Sequence, residues 1–254
     1  MFNFDESSVK DTEIKKIVAE AYAEIRKQKP WSHEKTPNII HHRVLPYATY
    51  CPWISDEEFQ LVYDRIQNFT LVDIYRCYEL WAFAKQLADI EGCFLEVGVW
   101  RGGTGALMAE AIKSKSTKKI YLADTFSGVV KAGKNDPIYK GGEHSDTSKA
   151  LVESLLKKLD LTNTVLLEGI FPEETSNLIN EPIVLLHCDV DVYSSAKDIV
   201  NWSIPRFCSG GAIIFDDYGF SGCEGITQFV NELRFNKDFI FIHNLNGHAI
   251  FIKK

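Results

Sequence analysis

Carboxylates follow two apolar segments of this chain, at positions where side chains often carry chemistry. Asp189 lies shortly after the apolar run 183–186, and Asp216 and Asp217 lie directly after the run 212–215. Each run is typical of a buried parallel strand, and ligands bind at the carboxyl ends of such strands. Carboxylates that converge there repel one another unless a positive group binds among them. A hard divalent cation with oxygen ligands is the simplest candidate, so the pattern predicts a metal site.

A glycine-rich segment, Glu96 to Gly105, marks a turn from a predicted strand into a predicted helix. Glycine lets the backbone approach a ligand closely, and the free N–H groups at a helix N-terminus attract polar ligands. The spacing is neither Gly-x-Gly-x-x-Gly nor the Gly-Lys-Ser/Thr ending of a phosphate loop. These differences argue against a dinucleotide or a nucleoside triphosphate, and the turn favours another nucleotide-like cofactor.

Acids at the ends of three predicted strands are candidate cofactor ligands. Asp124 ends the second strand, where a carboxylate can accept hydrogen bonds from ribose hydroxyls; a helix cap or a loop acid is the alternative. Glu168 and Gly169 end the third strand, where the edge of an adenine could lie. Glu96 ends the first strand and could face a cationic sulfonium or amino group, or could instead cap the turn that follows.

From residue 92 onward, predicted strands and helices alternate. The predicted strands are 93–98, 119–124, 164–168, 183–188, 211–216, 239–243 and 248–252. The predicted helices between them are 103–114, 147–159, 173–179, 194–204 and 223–235. This alternation predicts a doubly wound, mostly parallel seven-stranded α/β sheet. The last two strands are separated only by Asn244-Leu245-Asn246-Gly247, which predicts an antiparallel hairpin at the end of the sheet.

Residues 1–90 are predicted to form a helical extension to the α/β domain of residues 91–254. The predicted helices of this extension cover residues 11–28, 56–67 and 71–90. Between the first two helices, residues 29–52 hold four of the eight prolines and several aromatic side chains, with Trp53 directly after them. We interpret this stretch as an ordered lid over the acceptor or, equally, as a strap that packs the domain or contacts a second copy.

The composition argues against several classes of protein. A net charge of −7 argues against a general nucleic-acid surface. No apolar run approaches the roughly 18 residues that span a bilayer, and the polar N-terminus resembles no signal peptide. None of the six cysteines forms a Cys-x-x-Cys pair, which is consistent with reduced, buried thiols. We therefore expect a cytoplasmic protein with a small-molecule partner, and the apolar faces of the N-terminal helices could support a homo-oligomer.

Four motifs, in this order, resemble those of the macrocin O-methyltransferase family. They are Glu96-Val97-Gly98-Val99-Trp100-Arg101-Gly102-Gly103, Asp124-Thr125-Phe126-Ser127-Gly128, Asp189-Val190-Asp191-Val192-Tyr193-Ser194-Ser195, and the segment from Gly210-Gly211 to Asp216-Asp217-Tyr218-Gly219. The resemblance implies a class I, Rossmann-like methyltransferase domain. It also implies S-adenosylmethionine and a divalent cation such as Mg²⁺ as cofactors, and a hydroxyl of a sugar or glycoside as the acceptor.

The resemblance further implies roles for individual residues. The metal ligands fall on Asp189, Asp216 and Asp217. Together with the strand-end acids, the predicted cofactor contacts are Glu96, Gly98, Val99, Trp100, Arg101, Gly102, Gly103, Asp124, Thr125, Glu168, Gly169 and Asp189.

Transfer of a methyl group to a hydroxyl also needs a base. Asp189 and His144 are the candidate catalytic residues, because each could accept the hydroxyl proton. We interpret His187 as a core histidine and Asp191 as a cap of the helix that follows it. A catechol-type phenol methyltransferase and a non-catalytic cofactor-binding scaffold are the alternative functions.

Overall fold

The computed structural model describes residues 11–45, 48–244 and 246–254. Predictions about the polar N-terminus at residues 1–10, about Pro46 and Tyr47, and about Leu245 in the last turn lie outside these residues.

Within the described residues, the N-terminal part contains four helices and a small hairpin. In chain order these elements are α1 (Asp11–Lys27), β1 (Trp31–His33), β2 (Thr36–His41), α2 (Pro52–Ser55), α3 (Glu57–Ile66) and α4 (Ile74–Leu87). The hairpin was not predicted, because the prolines of this stretch indicate an irregular connection. The predicted start of α3 is confirmed: the Asp56 side chain accepts a hydrogen bond from the backbone N–H of Phe59.

A seven-stranded sheet forms the centre of the molecule. Its strands are β3 (Cys93–Val97), β4 (Ile120–Asp124), β5 (Thr164–Glu168), β6 (Ile183–Cys188), β7 (Phe207–Phe215), β8 (Phe239–Ile242) and β9 (Ala249–Lys253). Their order is β5-β4-β3-β6-β7-β9-β8, and β9 runs antiparallel to both of its neighbours while the other pairs are parallel. The predicted doubly wound sheet with an antiparallel end is confirmed. Because the strand order reverses between β3 and β6, a crevice opens at their carboxyl ends.

Helices cover both faces of this sheet. The helices that follow β3 in the chain are α5 (Gly103–Ile112), α6 (Lys149–Lys158), α7 (Tyr193–Ser203) and α8 (Glu224–Leu233). One core contains Phe59 of α3, Trp81 of α4 and Leu107 of α5, while the other contains Ile199 of α7 and Ile226 of α8. Since α3 and α4 share a core with α5, one continuous core crosses the predicted boundary at residue 90.

Two helices differ from their predictions. A helix over 173–179 was wrong, because only a short 3-10 helix forms there, at Ser176–Leu178. Thr175, Ser176 and Asn177 favour turns over helix interiors, which explains the difference. The amphipathic helix predicted over 11–28 is present as α1, but Ile14, Ile17 and Val18 of its apolar face are exposed. In the part of the chain that the structure describes, no helix combines the length and the apolar composition that a membrane span requires.

Candidate active site

A cavity of about 280 Å³ lies at the carboxyl ends of β3, β4 and β6. The predicted site residues among its lining are Gly98, Val99, Trp100, Asp124, Thr125, His144, Gly169, Asp189, Asp216 and Asp217. The structure therefore brings the glycine-rich turn and the acidic residues to one place, as parallel strands with a switch in order should. Thr70 to Val72 and Phe220 also line this cavity, and no pattern in the sequence had marked them.

Gly98 allows the ends of β3 and β6 to meet. Its φ is +88°, and a Cβ atom at this position would overlap the carbonyl oxygen of Asp189. The backbone N–H of Asp189 donates to the carbonyl oxygen of Val97 at 2.9 Å, which carries the sheet pairing up to the cavity. Only glycine combines this φ with this close approach, so Gly98 positions Asp189 relative to the turn.

Asp124 holds the glycine-rich turn in place. One oxygen of its carboxylate accepts hydrogen bonds from the backbone N–H groups of Val99 and Trp100, at 2.7 and 2.8 Å. The other oxygen accepts from the N–H of Phe126 at 2.6 Å. A carboxylate has about four acceptor positions. Asp124 is therefore first a support for the turn, and it retains capacity for about one further donor from the cavity.

The other residues of the turn serve mainly to pack it. The Arg101 guanidinium lies 4.3 Å from the Trp100 ring centroid and pairs with Asp146 at 2.7 Å. The indole N–H of Trp100 donates to the same Asp146 carboxylate at 2.9 Å. A Cβ atom at Gly102 would crowd Val152 of α6, and one at Gly103 would crowd the backbone of Phe69. Arg101, Gly102 and Gly103 thus hold neighbouring elements close, and they do not line the cavity.

Two predicted cofactor contacts face away from the cavity. Glu96 is fully buried and lies beneath the turn, where one carboxylate oxygen is 2.8 Å from Nδ1 of His187. Glu168 is exposed and lies 3.4 Å from Lys149, while its neighbour Gly169 lines the cavity. His187 is also fully buried, as its interpretation as a core histidine predicts.

The three predicted metal ligands converge where β6 and β7 end at the cavity, the part that we call its acidic end. Ligand oxygens of Asp189, Asp216 and Asp217 all lie within 4.8 Å of one another. Burial raises the pKa of Asp189 well above its ordinary value, and the charges of Asp216 and Asp217 raise it further. Burial also raises the pKa of Asp217, with added repulsion from Asp216 and Asp191. Carboxylates under this repulsion take up protons or a cation, and an all-carboxylate donor set fits a hard dication such as Mg²⁺.

Asp216 differs from its two neighbours. Burial by itself would raise its pKa, but close contact with His248 and the charges of His248 and Arg76 lower the pKa to about 2. The guanidinium of Arg76, on α4, forms an ion pair with Asp216, and its other side pairs with Asp73 at 2.9 Å. Asp216 is thus held ionised and fixed in direction. Arg76 and His248 are far from Asp216 in the chain, so no local pattern indicates these contacts.

The interpretation of Asp191 as a helix cap is wrong. Val192 occupies the N-cap position of α7, and the N–H of Tyr193 donates to the Asp136 carboxylate at 2.9 Å, so Asp136 takes the capping role. The Asp191 carboxylate instead accepts a hydrogen bond from the Tyr139 hydroxyl at 2.6 Å and contacts Asp217. A φ of +61° at Asp191 turns its side chain away from the helix and towards the cavity. His144 lies on the same side, with its ring 6.2 Å from that of Tyr139.

Trp53 does not line the cavity. Its ring packs edge-on against Tyr75 at 4.8 Å, and its backbone oxygen accepts a hydrogen bond from Gln60. These contacts join α2 to α3 and α4, which favours the strap interpretation of this part of the chain over the lid.

Comparison with known proteins agrees with this geometry. The family model for macrocin-O-methyltransferase (TylF) matches residues 62–254. A tetracenomycin-C rhamnosyl 4'-O-methyltransferase from Streptomyces olivaceus is 27% identical over 167 residues, which cover 61% of this chain and 64% of the relative. Mycinamicin III 3''-O-methyltransferase from Micromonospora griseorubida is 29% identical over 157 residues, which cover 55% of this chain and 61% of the relative.

Solved structures show the same fold. The O-methyltransferase NovP superimposes with a TM-score of 0.65 at 22% identity, covering 73% of this chain and 82% of NovP. The calicheamicin methyltransferase CalS11 gives a TM-score of 0.62 at 15% identity, covering 82% of this chain and 99% of CalS11. The matches to the two curated relatives above span less than two thirds of each relative's length. The family match, by contrast, covers most of this chain, including every motif at the cavity, and the chain therefore belongs to the macrocin-O-methyltransferase (TylF) family.

Proposed function

We propose that this protein transfers a methyl group from S-adenosylmethionine to a hydroxyl of a sugar or glycoside, with a divalent cation at Asp189, Asp216 and Asp217. One observation carries the proposal: a single cavity is lined by both the glycine-rich turn and the three carboxylates. A cofactor at the turn and an acceptor at the acids would then be neighbours. Such positioning supplies much of the rate in group transfer.

The cavity has the chemistry that S-adenosylmethionine needs. Five aspartates, at positions 124, 189, 191, 216 and 217, line it, and a negative lining favours a cationic sulfonium. Phe171 and Ile199 contribute apolar surface suited to a base or a thioether. Asp124 has one acceptor position left for a ribose hydroxyl. When bound, the cofactor supplies the electrophilic methyl group.

The residues at the acidic end would prepare the acceptor. A cation bound by the three aspartates supplies positive charge that lowers the pKa of an acceptor hydroxyl. Asp189 and His144 both line the cavity and are the candidate proton acceptors. The Tyr139 hydroxyl donates a hydrogen bond to Asp191 and so fixes the part of the cavity wall near Asp189 and His144.

The nature of the acceptor is supported by the relatives. Two of them are named for methylation of rhamnosyl or mycinamicin hydroxyls, and the solved TDP-rhamnose 3'-O-methyltransferase CalS11 has the same fold. A sugar has adjacent hydroxyls that can share a cation, but so does a catechol. Catechol methylation is therefore the second candidate, and it requires a direct comparison of acceptors.

Calorimetric titration of S-adenosylmethionine, run beside a methyl-transfer screen, tests the proposal. We expect cofactor binding that survives EDTA, and transfer that EDTA abolishes. Asp189→Asn and Asp217→Asn should each lower kcat about 100-fold or more while leaving cofactor binding within a few-fold. Asp238→Asn is the matched control, because Asp238 is exposed at the opposite end of the strands.

The outcomes separate the candidate functions. Transfer to deoxysugar nucleotides or glycosides supports the proposal, whereas transfer to catechols alone supports the second candidate. Cofactor binding without transfer to any acceptor indicates a scaffold. Absence of cofactor binding would refute methyl transfer altogether.

A further inference from the structure

Two buried histidines lie behind the acidic end of the cavity, and each is held by a glutamate. His187, on β6, has Nδ1 2.8 Å from Oε1 of Glu96. His248, just before β9, has Nδ1 2.5 Å from Oε2 of Glu79 on α4. Both histidine side chains are fully buried. A carboxylate on one ring nitrogen fixes the orientation of the ring and makes the other nitrogen a better ligand, which is the usual arrangement behind metal-bound histidines.

The second ring nitrogens of the two histidines differ in their contacts. Among the described residues, Nε2 of His187 is fully buried and has no hydrogen-bond partner. Nε2 of His248 has the Asp216 carboxylate beside it. Ring nitrogens of the two histidines and a carboxylate oxygen of Asp216 all lie within 4.8 Å of one another. Buried polar atoms without partners are rare, because each costs free energy. Nε2 of His187 therefore points to a missing ligand in this group.

The spacing suits a small dication. Nε2 of His248 lies 3.2 Å from Oδ1 of Asp216. A tetrahedral ion with bonds of about 2.0 to 2.1 Å to nitrogen and oxygen places its ligands roughly 3.3 Å apart. The Asp216 side chain is almost fully buried, so its carboxylate is held firmly enough to serve as a ligand.

The charges of this region also favour a cation. Along the contacts of the described chain, four carboxylates (Glu79, Glu96, Asp73 and Asp216) meet the guanidinium of Arg76 and the rings of His187 and His248, and Glu96 and Asp216 are buried. Excess negative charge in a buried region is unfavourable unless it is paired. Asp216 and Arg76 line the cavity, which provides the route by which an ion could reach the histidines.

We propose that His187, His248 and Asp216 bind a transition-metal dication of the Zn²⁺ class, at a site separate from the three aspartates and sharing only Asp216 with them. Imidazole nitrogen selects metals such as Zn²⁺, Co²⁺ and Fe²⁺, whereas Mg²⁺ prefers oxygen. The two sites would thus take different ions. The alternative is that protons occupy the histidines and no metal binds.

Titration of Co²⁺ into the chelator-treated full chain, with excess Mg²⁺ to occupy the aspartates, tests the site. Four-coordinate Co²⁺ with nitrogen ligands absorbs strongly in the visible range, while six-coordinate Co²⁺ with oxygen ligands absorbs weakly. We expect strong bands that saturate at one equivalent and are displaced by Zn²⁺. X-ray absorption of the Zn²⁺-loaded wild-type protein should show two imidazole ligands, and this measurement needs no variant.

Variants identify the ligands. His187→Gln and His248→Gln should abolish the bands, while His243→Gln, an exposed histidine in the same hairpin, should keep them. Glu79→Gln should lower Co²⁺ affinity about 10- to 100-fold, because it weakens the support of His248. Asp189→Asn, which alters only the three-aspartate site, should also keep the bands, so this test is independent of methyl transfer.

Three results would overturn the site. The first is a wild-type protein that gives no strong bands and retains no metal, which would show that protons occupy the histidines. The second is bands that disappear in Asp189→Asn but persist in His187→Gln, which would place the metal among the aspartates. The third is an X-ray absorption spectrum with oxygen ligands alone.

Discussion

At the scale of single residues, Gly98 shows how one missing side chain sets the site. Gly98→Ala should destabilise the protein by about 2 to 5 kcal/mol, because the new Cβ adds backbone strain and overlaps Asp189. Gly142→Ala is the control, since Gly142 has a similar φ of +89° and open space around it. The free energy of unfolding of Gly142→Ala should fall by only about 1 kcal/mol. Urea unfolding measures both, and equal losses would contradict the role of the close approach.

Glu181 provides a prediction about pH. Hydrogen bonds from Lys119 and Tyr121 lower the pKa of Glu181 to about 2, against about 4.3 in an unfolded chain. The folded state therefore favours the ionised form. Its contribution to stability is present above about pH 4.3 and is lost as the pH falls from there towards 2.

Glu181→Gln should therefore lower the melting temperature at pH 7 and reduce its decline between pH 5 and pH 3, compared with the wild type. At pH 7 we expect the free energy of unfolding of Glu181→Gln to be lower than that of the wild type by about 1 kcal/mol. The difference is small because the Glu181 side chain is one third exposed and water screens its charge. Tyr121→Phe removes one of the two hydrogen bonds and should give an intermediate slope. If the melting temperatures of the wild type and Glu181→Gln changed identically with pH, the ion pair would contribute nothing to stability.

At the scale of elements, the loop from β4 to α6 is fastened to the glycine-rich turn. Asp146 accepts hydrogen bonds from Trp100 and Arg101, and the Thr147 hydroxyl donates to the backbone oxygen of Trp100. The same loop supplies Val129, Tyr139 and His144 to the cavity wall. Release of this connection should loosen the wall without altering the acids.

Asp146→Ala should weaken S-adenosylmethionine binding about 3- to 10-fold, because the exposed ion pair and its hydrogen bonds hold the loop only moderately. Calorimetry measures the effect. Asp238→Ala is the control, because Asp238 has the same 63% side-chain exposure and also pairs with a lysine or arginine. Unchanged affinity in Asp146→Ala would mean that the loop is held by its other contacts.

The elements also show where prediction from sequence succeeds. Residues 183–186 of β6 and 212–215 of β7 are continuous apolar runs, because a central strand is buried on both faces. Residues 207–210 of β7, which include a serine and a glycine, have no such run and lie outside the predicted strand. The β1–β2 hairpin has no such pattern: it contains Pro37 and exposed side chains, and it is stabilised by what it packs against. The incorrect prediction of a helix at 173–179 has the same cause, because the residues there have no clear helical pattern.

At the scale of the whole molecule, the hairpin joins the N-terminal part to the far side of the sheet. His41 of β2 and Glu224 of α8 are both buried, with Nε2 of His41 3.1 Å from Oε1 of Glu224. Glu224 also accepts a hydrogen bond from the N–H of Gly222. This contact ties the segment before α2 to the loop that follows Asp217.

His41→Ala should destabilise the protein by about 2 to 3 kcal/mol, because a buried carboxylate loses a partner. Proteolysis within residues 28–50 should also become faster, as measured by timed digestion and mass spectrometry. His42→Ala is the control, since the His42 ring hydrogen-bonds to the backbone oxygens of Arg43 and Gln28 near the surface. Equal stability and equal cleavage in both variants would show that the hairpin does not depend on this pair.

The sequence by itself determined the fold class, the order of strands and helices, and which acids stand at strand ends. Apolar runs that form buried strands can be recognised locally in the sequence. Parallel neighbouring strands then end at the same edge of the sheet, so the convergence of Asp189, Asp216 and Asp217 could be predicted from the sequence.

Only the tertiary structure decided what each acid does. Asp124 supports the turn, Glu96 pairs with His187, Asp191 binds Tyr139, and Asp216 is held by Arg76 and His248. These partners come from distant parts of the chain, and their effect depends on burial and distance. Neither quantity has a local pattern in the sequence, since both arise when helices and strands pack together.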